Sequence, residues 1–593
     1  MVRIGFLEGV ILNRGKHMLD QYMKRSVVFC LFLVVVSLAG ASDGLSLSPD
    51  ALADRAAADV ASPVRVGGVN GQPFWNRRSL HFMHPPAFAF LSVSNAVTYR
   101  FTVFDDKLNR HVFTNQNATA DLSPVWKALQ PGFVCVQVDA LDNAGKIAGT
   151  CGTRRFWKLA PYEPGAYPPK PYSYMECVKR YYPTLFAHTN TQHFLAHGRP
   201  DGYSDLQNIY PAKMNSSLVL GMLRYAKLEP ANREAALDVA RKAADYTLSI
   251  SQDGQAPLAH FPPTYWKMKG QKSDFASQRY AGQNMLVYPA HMGCAYLALY
   301  SEIGDEKYLT AALGIAATFE KLQLPDGTWY LKLWEKDAGP VIDKVSHQAV
   351  KMTPTPVCVF LEDLARVTGN ERWRAIADKA FKYIQEGPLR TYDFGPQFED
   401  TRPSVNYRDL TSCVPMEIAL YMMKRFPNDS QRMAQVRELL RWVEDQFVCW
   451  RKPCRADNHG ILSEACHGFN PVWCSIEDAC GAPGTRFFGN WVDVPGVMEK
   501  YRWSIMVNGV VGLAMRAYLE YYRISHDELA LAKAKTLGDS IVRVQAMGPD
   551  GEIATHWDVR DVAKGVGCLQ NWTNCGVSAV LHLEELAREV ELE

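Results

Sequence analysis

At 593 residues, 47% of them apolar, the chain is long enough to bury a large core, and its composition excludes an extended, disordered polymer. Its 64 basic and 62 acidic side chains leave a formal charge of +2, spread without basic runs. That balance argues against nucleic acid or an anionic membrane surface as partner and points to a compact substrate.

The chain opens on a targeting pattern. Met23-Lys24-Arg25 is positive, Val27 to Leu38 is apolar but short for a membrane span, and Ala39-Gly40-Ala41 fits a small-x-small cleavage site. Residues 1–41 are therefore expected to be a signal peptide. The mature chain would then be secreted or periplasmic, with no stable membrane insertion; an uncleaved anchor is the alternative. Residues 42–78 read as a leader or linker.

Residues 79–160 alternate apolar and polar, as in "VTYRFTVFD" (97–105) and "GFVCVQVDAL" (132–141), the pattern of half-buried antiparallel strands. Export would place the cysteines in an oxidising compartment. Cys135 and Cys151 lie almost equally far from the Asp142-Asn143-Ala144-Gly145 turn, so a hairpin is expected to set them opposite each other in a disulfide; two buried thiols are the alternative. The stretch "LQPGFVCVQVDALDNAG" resembles the late strands of a fibronectin type III or immunoglobulin-like domain, which implies a small antiparallel β-sandwich. A Pro-rich linker at 161–173 follows.

From residue 174 to 593 the pattern is helical. Segments 172–186, 233–250, 306–323, 371–385, 432–447 and 528–544 carry one apolar stripe each and read as outer helices. Segments 212–228, 284–303, 350–367, 409–425, 503–524 and 572–588 are apolar nearly all round and read as inner helices. Inner-to-outer links are short, such as Gly304-Asp305, whereas outer-to-inner links are long and aromatic. The phrase "SQDGQAPLAHFPPTYW" (251–266) returns as "LPDGTWYLKLW" (324–334) and "GPDGEIATHWD" (548–558), each at the start of such a long loop. Six helical hairpins closing on themselves make the expected fold: mainly α, an (α/α)6 toroid preceded by a small antiparallel β-sandwich domain.

This repeat resembles the (α/α)6 toroids of carbohydrate-active enzymes, nearest in texture to the glucuronidase and unsaturated-uronide hydrolase families, including glycoside hydrolase family 154. The sandwich in front is also similar to family 9 cellulases and glucuronyl epimerases, although the cellulase "DAGD" motif is missing. The resemblance implies an exported glycoside hydrolase, exo-acting on a glucuronide or other uronic-acid-containing oligo- or polysaccharide, with an acidic saccharide as partner and no cofactor or metal.

The long loops offer the chemistry. Trp266, Trp329, Trp334, Tyr407 and Trp557 present flat faces for sugar rings, while Arg408 and Arg502 suit a carboxylate. Glycoside hydrolysis needs two carboxyls, and Asp205, Asp409 and Asp558 are the candidates. "HWDVRD" (556–561) concentrates His556, Trp557 and Asp558. The alternative is a polysaccharide lyase or uronyl epimerase, in which Tyr280 and His291 transfer protons, with Tyr288, His347 and Asn574 beside them. A non-catalytic carbohydrate-binding protein is the third reading. In the cysteine-rich stretch 449–480, disulfides are expected ahead of zinc, because no paired C-x-x-C spacing occurs.

Overall fold

The computed structural model describes residues 47–64, 79, 81–105, 107–201, 209–266, 280–342, 347–395, 397–398, 410–451, 494–500, 506–548, 551–558, 561–567 and 572–591, the side chains of 558 and 561–567 excepted. Two compact units divide the chain, Met1–Leu52 and Ala53–Glu593. In the first, the described residues 47–52 open helix α1 (Pro49–Val60). The expected signal peptide lies outside the described residues. Among the described residues no helix is long and apolar enough to cross a membrane.

The β region contains β1 (His81–Phe82), β2 (Ala87–Ala89), β3 (Thr98–Phe104), β4 (Arg110–Asn115), β5 (Thr119–Asp121), β6 (Gly132–Leu141) and β7 (Ile147–Lys158). Five of them form one sheet in the order β1-β7-β6-β3-β4, and β2 pairs with β5. Alternation decides which face is inside: Val134, Val136 and Val138 of β6 are buried, as are Phe101 and Val103 of β3. Phe88 of β2 meets Phe82 and Phe156 of the large sheet at ring distances of 5.7 and 5.4 Å.

The hairpin turn falls at the expected residues, with Asp142 donating its N–H to Lys146 and Gly145 at φ 74°. The expected Cys135–Cys151 disulfide does not form, and both are free thiols. The turn pairs Leu141 with Ile147, a register that already sets Cys135 opposite Thr153, and two shifts, between Val138 and Asp139 and between Ala140 and Leu141, carry it on to Arg155. An inserted residue displaces every later pair, so equal distances from the turn no longer mean opposition.

The ring helices follow: α2 (Tyr174–Ala187), α3 (Pro211–Leu228), α4 (Arg233–Ser249), α5 (Val287–Ile303), α6 (Glu306–Leu322), α7 (Thr355–Thr368), α8 (Arg372–Glu386), α9 (Cys413–Arg425), α10 (Ser430–Phe447), α11 (Asn508–Ser525), α12 (Glu528–Met547) and α13 (Thr573–Val590). Each odd-numbered helix from α3 packs on the next, and α13 packs back on α3, so six inner helices close a ring. Each inner helix also pairs with one outer helix, and α2 pairs with α13. The short links are chemically determined: Gly304, at φ 74°, ends α5, and the next residue, Asp305, accepts from Lys307 N–H to cap α6. Asp429 and Asp527 cap α10 and α12 in the same way.

The recurring Asp-Gly turn has a packing role. Gly327, at φ 97°, follows α6 and lies against the carbonyl of Lys379 on α8, where an added Cβ would sit 2.8 Å from the carbonyl carbon. Gly551, at φ 77°, follows α12 and lies against α2, where a Cβ would meet Arg180 O at 2.7 Å. At both places the turn ending one outer helix presses on the outer helix of the next hairpin, and the second contact crosses the ring closure. Only glycine combines the left-handed backbone with that approach.

Two polar junctions fasten other elements to this ring. Asp445 on α10 accepts from the backbone N–H of Met83 at 2.6 Å and of His84 at 2.7 Å, holding the β region. The stretch read as a leader includes α1, whose Asp59 pairs with Arg437 (2.8 Å) and Arg441 (3.0 Å) of α10 and Lys533 (3.3 Å) of α12.

Candidate functional site

Six inner helices leave one lumen, and the half-buried residues show which side faces it. On α9, Val414, Met416, Ile418, Ala419, Met422 and Met423 are buried, while Cys413, Glu417 and Leu420 form a half-buried stripe at helical spacing. Neighbours α7, α10 and α11 cover the other faces of α9, so this stripe looks inward. Lys213 and Ser217 of α3, and His291 and Cys294 of α5, occupy the equivalent half-buried stripes.

At the N-terminal ends of α3, α5 and α13 the side chains make a continuous path. The Lys332 ammonium, on β9 (Lys332–Trp334), lies 4.5 Å over the Tyr280 ring. Tyr280 meets Tyr265 at 5.1 Å, Tyr265 meets Tyr210 at 5.9 Å, and Tyr210 stacks on Trp572 at 5.4 Å. Lys213 then lies 3.9 Å over Trp572 and 5.6 Å over Tyr288, whose ring is 5.9 Å from that of His291. Burial, and next the Lys213 charge, pull the His291 pKa down to about 4, so the imidazole is neutral at pH 7.

Carboxyls border the same end. Glu335, just past β9, follows β8 (Gln283–Met285), the strand paired with β9, through its N–H bond to Gly282 O at 2.9 Å. Burial raises its pKa to about 7 against a hydrogen bond from Asn284, and among the described residues its Oε1 has no partner. Glu417 is raised further, to about 8, by burial alone. Both would carry a proton near neutrality, as a general acid must.

Of the residues expected from sequence, Tyr280, Tyr288 and His291 are brought together. Asn574 stands at the start of α13, two residues from Trp572, and among the described residues its Oδ1 has no partner. Trp266 is half-buried, its N–H bonded to Ile209 O at 2.9 Å, and Trp334 is half-buried in β9. Trp329 and Trp557 correct the stacking expectation, since both are fully buried and offer no open face. Trp329 donates to Phe319 O at 2.7 Å, which satisfies its indole inside the α6 packing. Trp557 lies in β13 (Ala554–Asp558) opposite Met506 of β12 (Met506–Val507). His556, beside it, is half-buried opposite Val507. His347 is exposed at φ 55°, apart from the lumen stripes. From "HWDVRD", β13 pairs antiparallel with β14 (Asp561–Gly567), with Asp558 opposite Asp561 in the backbone, while Val559 and Arg560 lie outside the described residues. The Asp558 side chain, and Asp205, Asp409, Tyr407, Arg408 and Arg502, lie outside the described residues.

Sequence reasoning missed Lys213, Trp572, Glu335 and Glu417. Two carried a signal. Lys213 is a cation in the first turn of a helix, where the dipole opposes it, and Glu417 is a lone charge inside the apolar run "CVPMEIALYMM".

A cavity of about 280 Å³ lies elsewhere, between α1, α10, α11 and α12. Donor atoms of Asp59, His84 and Glu444 fall within 4.8 Å of one another there, a spacing a metal could use. The Lys533 ammonium already stands at 2.6 Å from Glu444 and 3.3 Å from Asp59, with Arg441 3.0 Å from Asp59, so the acids have their cations. This is a buried ion network fastening α1 to the ring.

No family model matches the chain, and no curated protein does. Solved structures similar to it include a cellobiose 2-epimerase from Spirochaeta thermophila, at 14% identity and TM-score 0.46, covering 71% of this chain and 97% of that one. Another is a family 76 glycoside hydrolase from a bovine Bacteroides thetaiotaomicron strain, at 10% identity and TM-score 0.43, covering 84% of this chain and 94% of the other. A polysaccharide lyase is similar at 8% identity and TM-score 0.38, covering 87% of this chain and 64% of that chain. These three are carbohydrate-processing enzymes of different reaction types.

Proposed function

We propose that the chain is an enzyme acting on an acidic carbohydrate and that it hydrolyses a terminal uronide, most simply a glucuronide. The observation that carries this reading is the path from Lys332 through four aromatic rings to Lys213, Tyr288 and His291. Tyr210, Tyr265 and Tyr280 are buried and back half-buried Trp572, whose flat face suits a sugar ring, and the half-buried Lys213 ammonium suits a uronate carboxylate. In hydrolysis one carboxylic acid protonates the glycosidic oxygen as the C1–O bond breaks, while a carboxylate takes a proton from the water adding to C1. Glu335 and Glu417 are the described acids, and Asp205, Asp409 and Asp558 are the proposed bases or nucleophiles. Export, the fibronectin III-like identity of residues 79–160 and a separate catalytic domain at 174–593 belong to the same proposal.

A second reading is favoured by one observation: His291 is held neutral beside Tyr288 and Lys213. A neutral imidazole suits removal of the C5 proton of a uronate, with β-elimination breaking the C4–O bond, or with return of a proton to the opposite face in epimerisation. The test is incubation with glucuronide-terminated oligosaccharides. Release of a saturated reducing sugar supports hydrolysis, and growth of ultraviolet absorbance from a 4,5-unsaturated product transfers the assignment to Tyr280, Tyr288 and His291. Binding without turnover favours a carbohydrate-binding protein.

A further inference from the structure

We infer that Glu417, reaching into the lumen from the second turn of α9, is the group that protonates the leaving oxygen, an assignment that rests on the uronide-hydrolase reading. Its position is fixed by the helix. Cys413 opens α9, and Glu417, four residues on, lies on the same inward stripe about 6 Å deeper. Half-buried, it is reachable from the lumen, yet it stands among Val414, Met416, Ile418 and Tyr421, all buried.

Among the described residues no hydrogen bond or ion pair satisfies this carboxyl, and burial is the sole influence on its titration. Around the top of the stripe, Cys413 feels Glu499 and Cys575 of α13, while Lys500, bridged to Thr411 on the same segment as Glu499, holds its ammonium 4.8 Å over the Phe398 ring. Among the described residues no cation pairs with the Glu417 carboxyl, and burial is what moves its titration. An unpaired carboxyl in such a place costs stability, and leucine or glutamine would pack there at less cost. Elsewhere the chain pairs its buried acids: Glu584 with Arg224 and Arg588, and Glu444 with Lys533. Among the described residues Glu417 departs from that pattern, as Glu335 does, and Glu417 is the one of the two on an inward stripe of an inner helix. Burial also keeps it protonated at neutral pH.

The step balances without a co-reactant. The Glu417 proton passes to the glycosidic oxygen as the C1–O bond breaks, and the bonding pair stays on that oxygen. Water adds to C1 and gives its proton to a carboxylate, and exchange with solvent returns the proton to Glu417. An acid at this depth also requires the scissile bond to enter the lumen, which selects for a chain end over an internal linkage.

The test uses the full chain and two substrates, methyl glucuronide and 2,4-dinitrophenyl glucuronide. Methanol needs protonation to leave; dinitrophenolate does not. In Glu417→Gln, turnover of the methyl glycoside should fall about 10²- to 10⁴-fold, while the dinitrophenyl glycoside loses less than about tenfold. The thermal midpoint should hold or rise, because the amide removes a buried acid without changing shape. Glu417→Asp should retain part of the methyl glycoside activity. Equal losses on both substrates, or no loss on either, overturn the assignment. Failure of the wild-type chain to hydrolyse either glucuronide overturns instead the reading on which it rests.

Discussion

Replacing Lys533 by methionine tests the buried network that fastens α1 to the ring. The ammonium, with its side chain only 6% exposed, stands 2.6 Å from Glu444 and 3.3 Å from Asp59. Without it Asp59 keeps Arg437 and Arg441, but among the described residues Glu444 keeps only the neutral donors Trp450 Nε1 at 2.8 Å and Tyr518 OH at 3.4 Å. A buried carboxylate stripped of its cation costs about 3–5 kcal/mol. Replacing both Lys533→Met and Glu444→Gln removes the orphaned charge, so the double variant should recover about 2 kcal/mol or more of that loss. Burial alone would raise the Asp59 pKa, but Lys533, His84, Arg441 and Arg437 together hold it well below the usual range. That stabilisation is present above the unfolded value of about 3.9 and is lost as pH falls. Burial opposes the Lys533 charge, yet Glu444 and Asp59 raise its pKa overall, so its contribution is complete below about pH 10.4 and fades above. The penalty for Lys533→Met should therefore be flat between roughly pH 5 and 10. Denaturant titration followed by tryptophan fluorescence measures each variant. A cost for Lys533→Met below about 1 kcal/mol, or strict additivity in the double variant, refutes the reasoning.

Asp445→Ala strips two buried backbone N–H groups, Met83 and His84, of their acceptor, at about 1–3 kcal/mol each. Limited proteolysis should then cut within 79–160 before the ring is cleaved. Gly551→Ala forces a Cβ against Arg180 O at 2.7 Å in a left-handed backbone, and should cost about 2 kcal/mol or more in chemical denaturation. Because the His291 pKa is lowered to about 4, its contribution is complete above the unfolded value of about 6.5 and is lost as pH falls through 4, about 3 kcal/mol in all. Stability measured against pH should lose that slope in His291→Asn, and an unchanged slope would place the responsible group elsewhere.

Much of the fold was legible in sequence because it is written locally. Apolar spacing identifies a helix and its buried face without knowledge of its neighbour, so α4 buries Ala236, Val239, Ala240, Ala243 and Ala244 as the stripe requires. Short Gly-Asp links and long aromatic loops likewise sort inner from outer helices. The site was legible only in part: Tyr288 and His291 share one helical face and so could be paired from spacing alone.

What the sequence by itself determined was the alternation of twelve helices and the strands before them, since periodicity and capping act over a few residues. Tertiary structure decided everything that depends on a second element. The register of one turn and two shifts along its hairpin separated Cys135 from Cys151. Packing on Phe319 put Trp329 inside, out of reach of a sugar. The conjunction of Lys213, Trp572 and Tyr288 needs the starts of three helices far apart in the chain. The unpaired state of Glu417 is visible only once the ring has closed around it, because whether a charge is satisfied depends on what the rest of the chain places nearby.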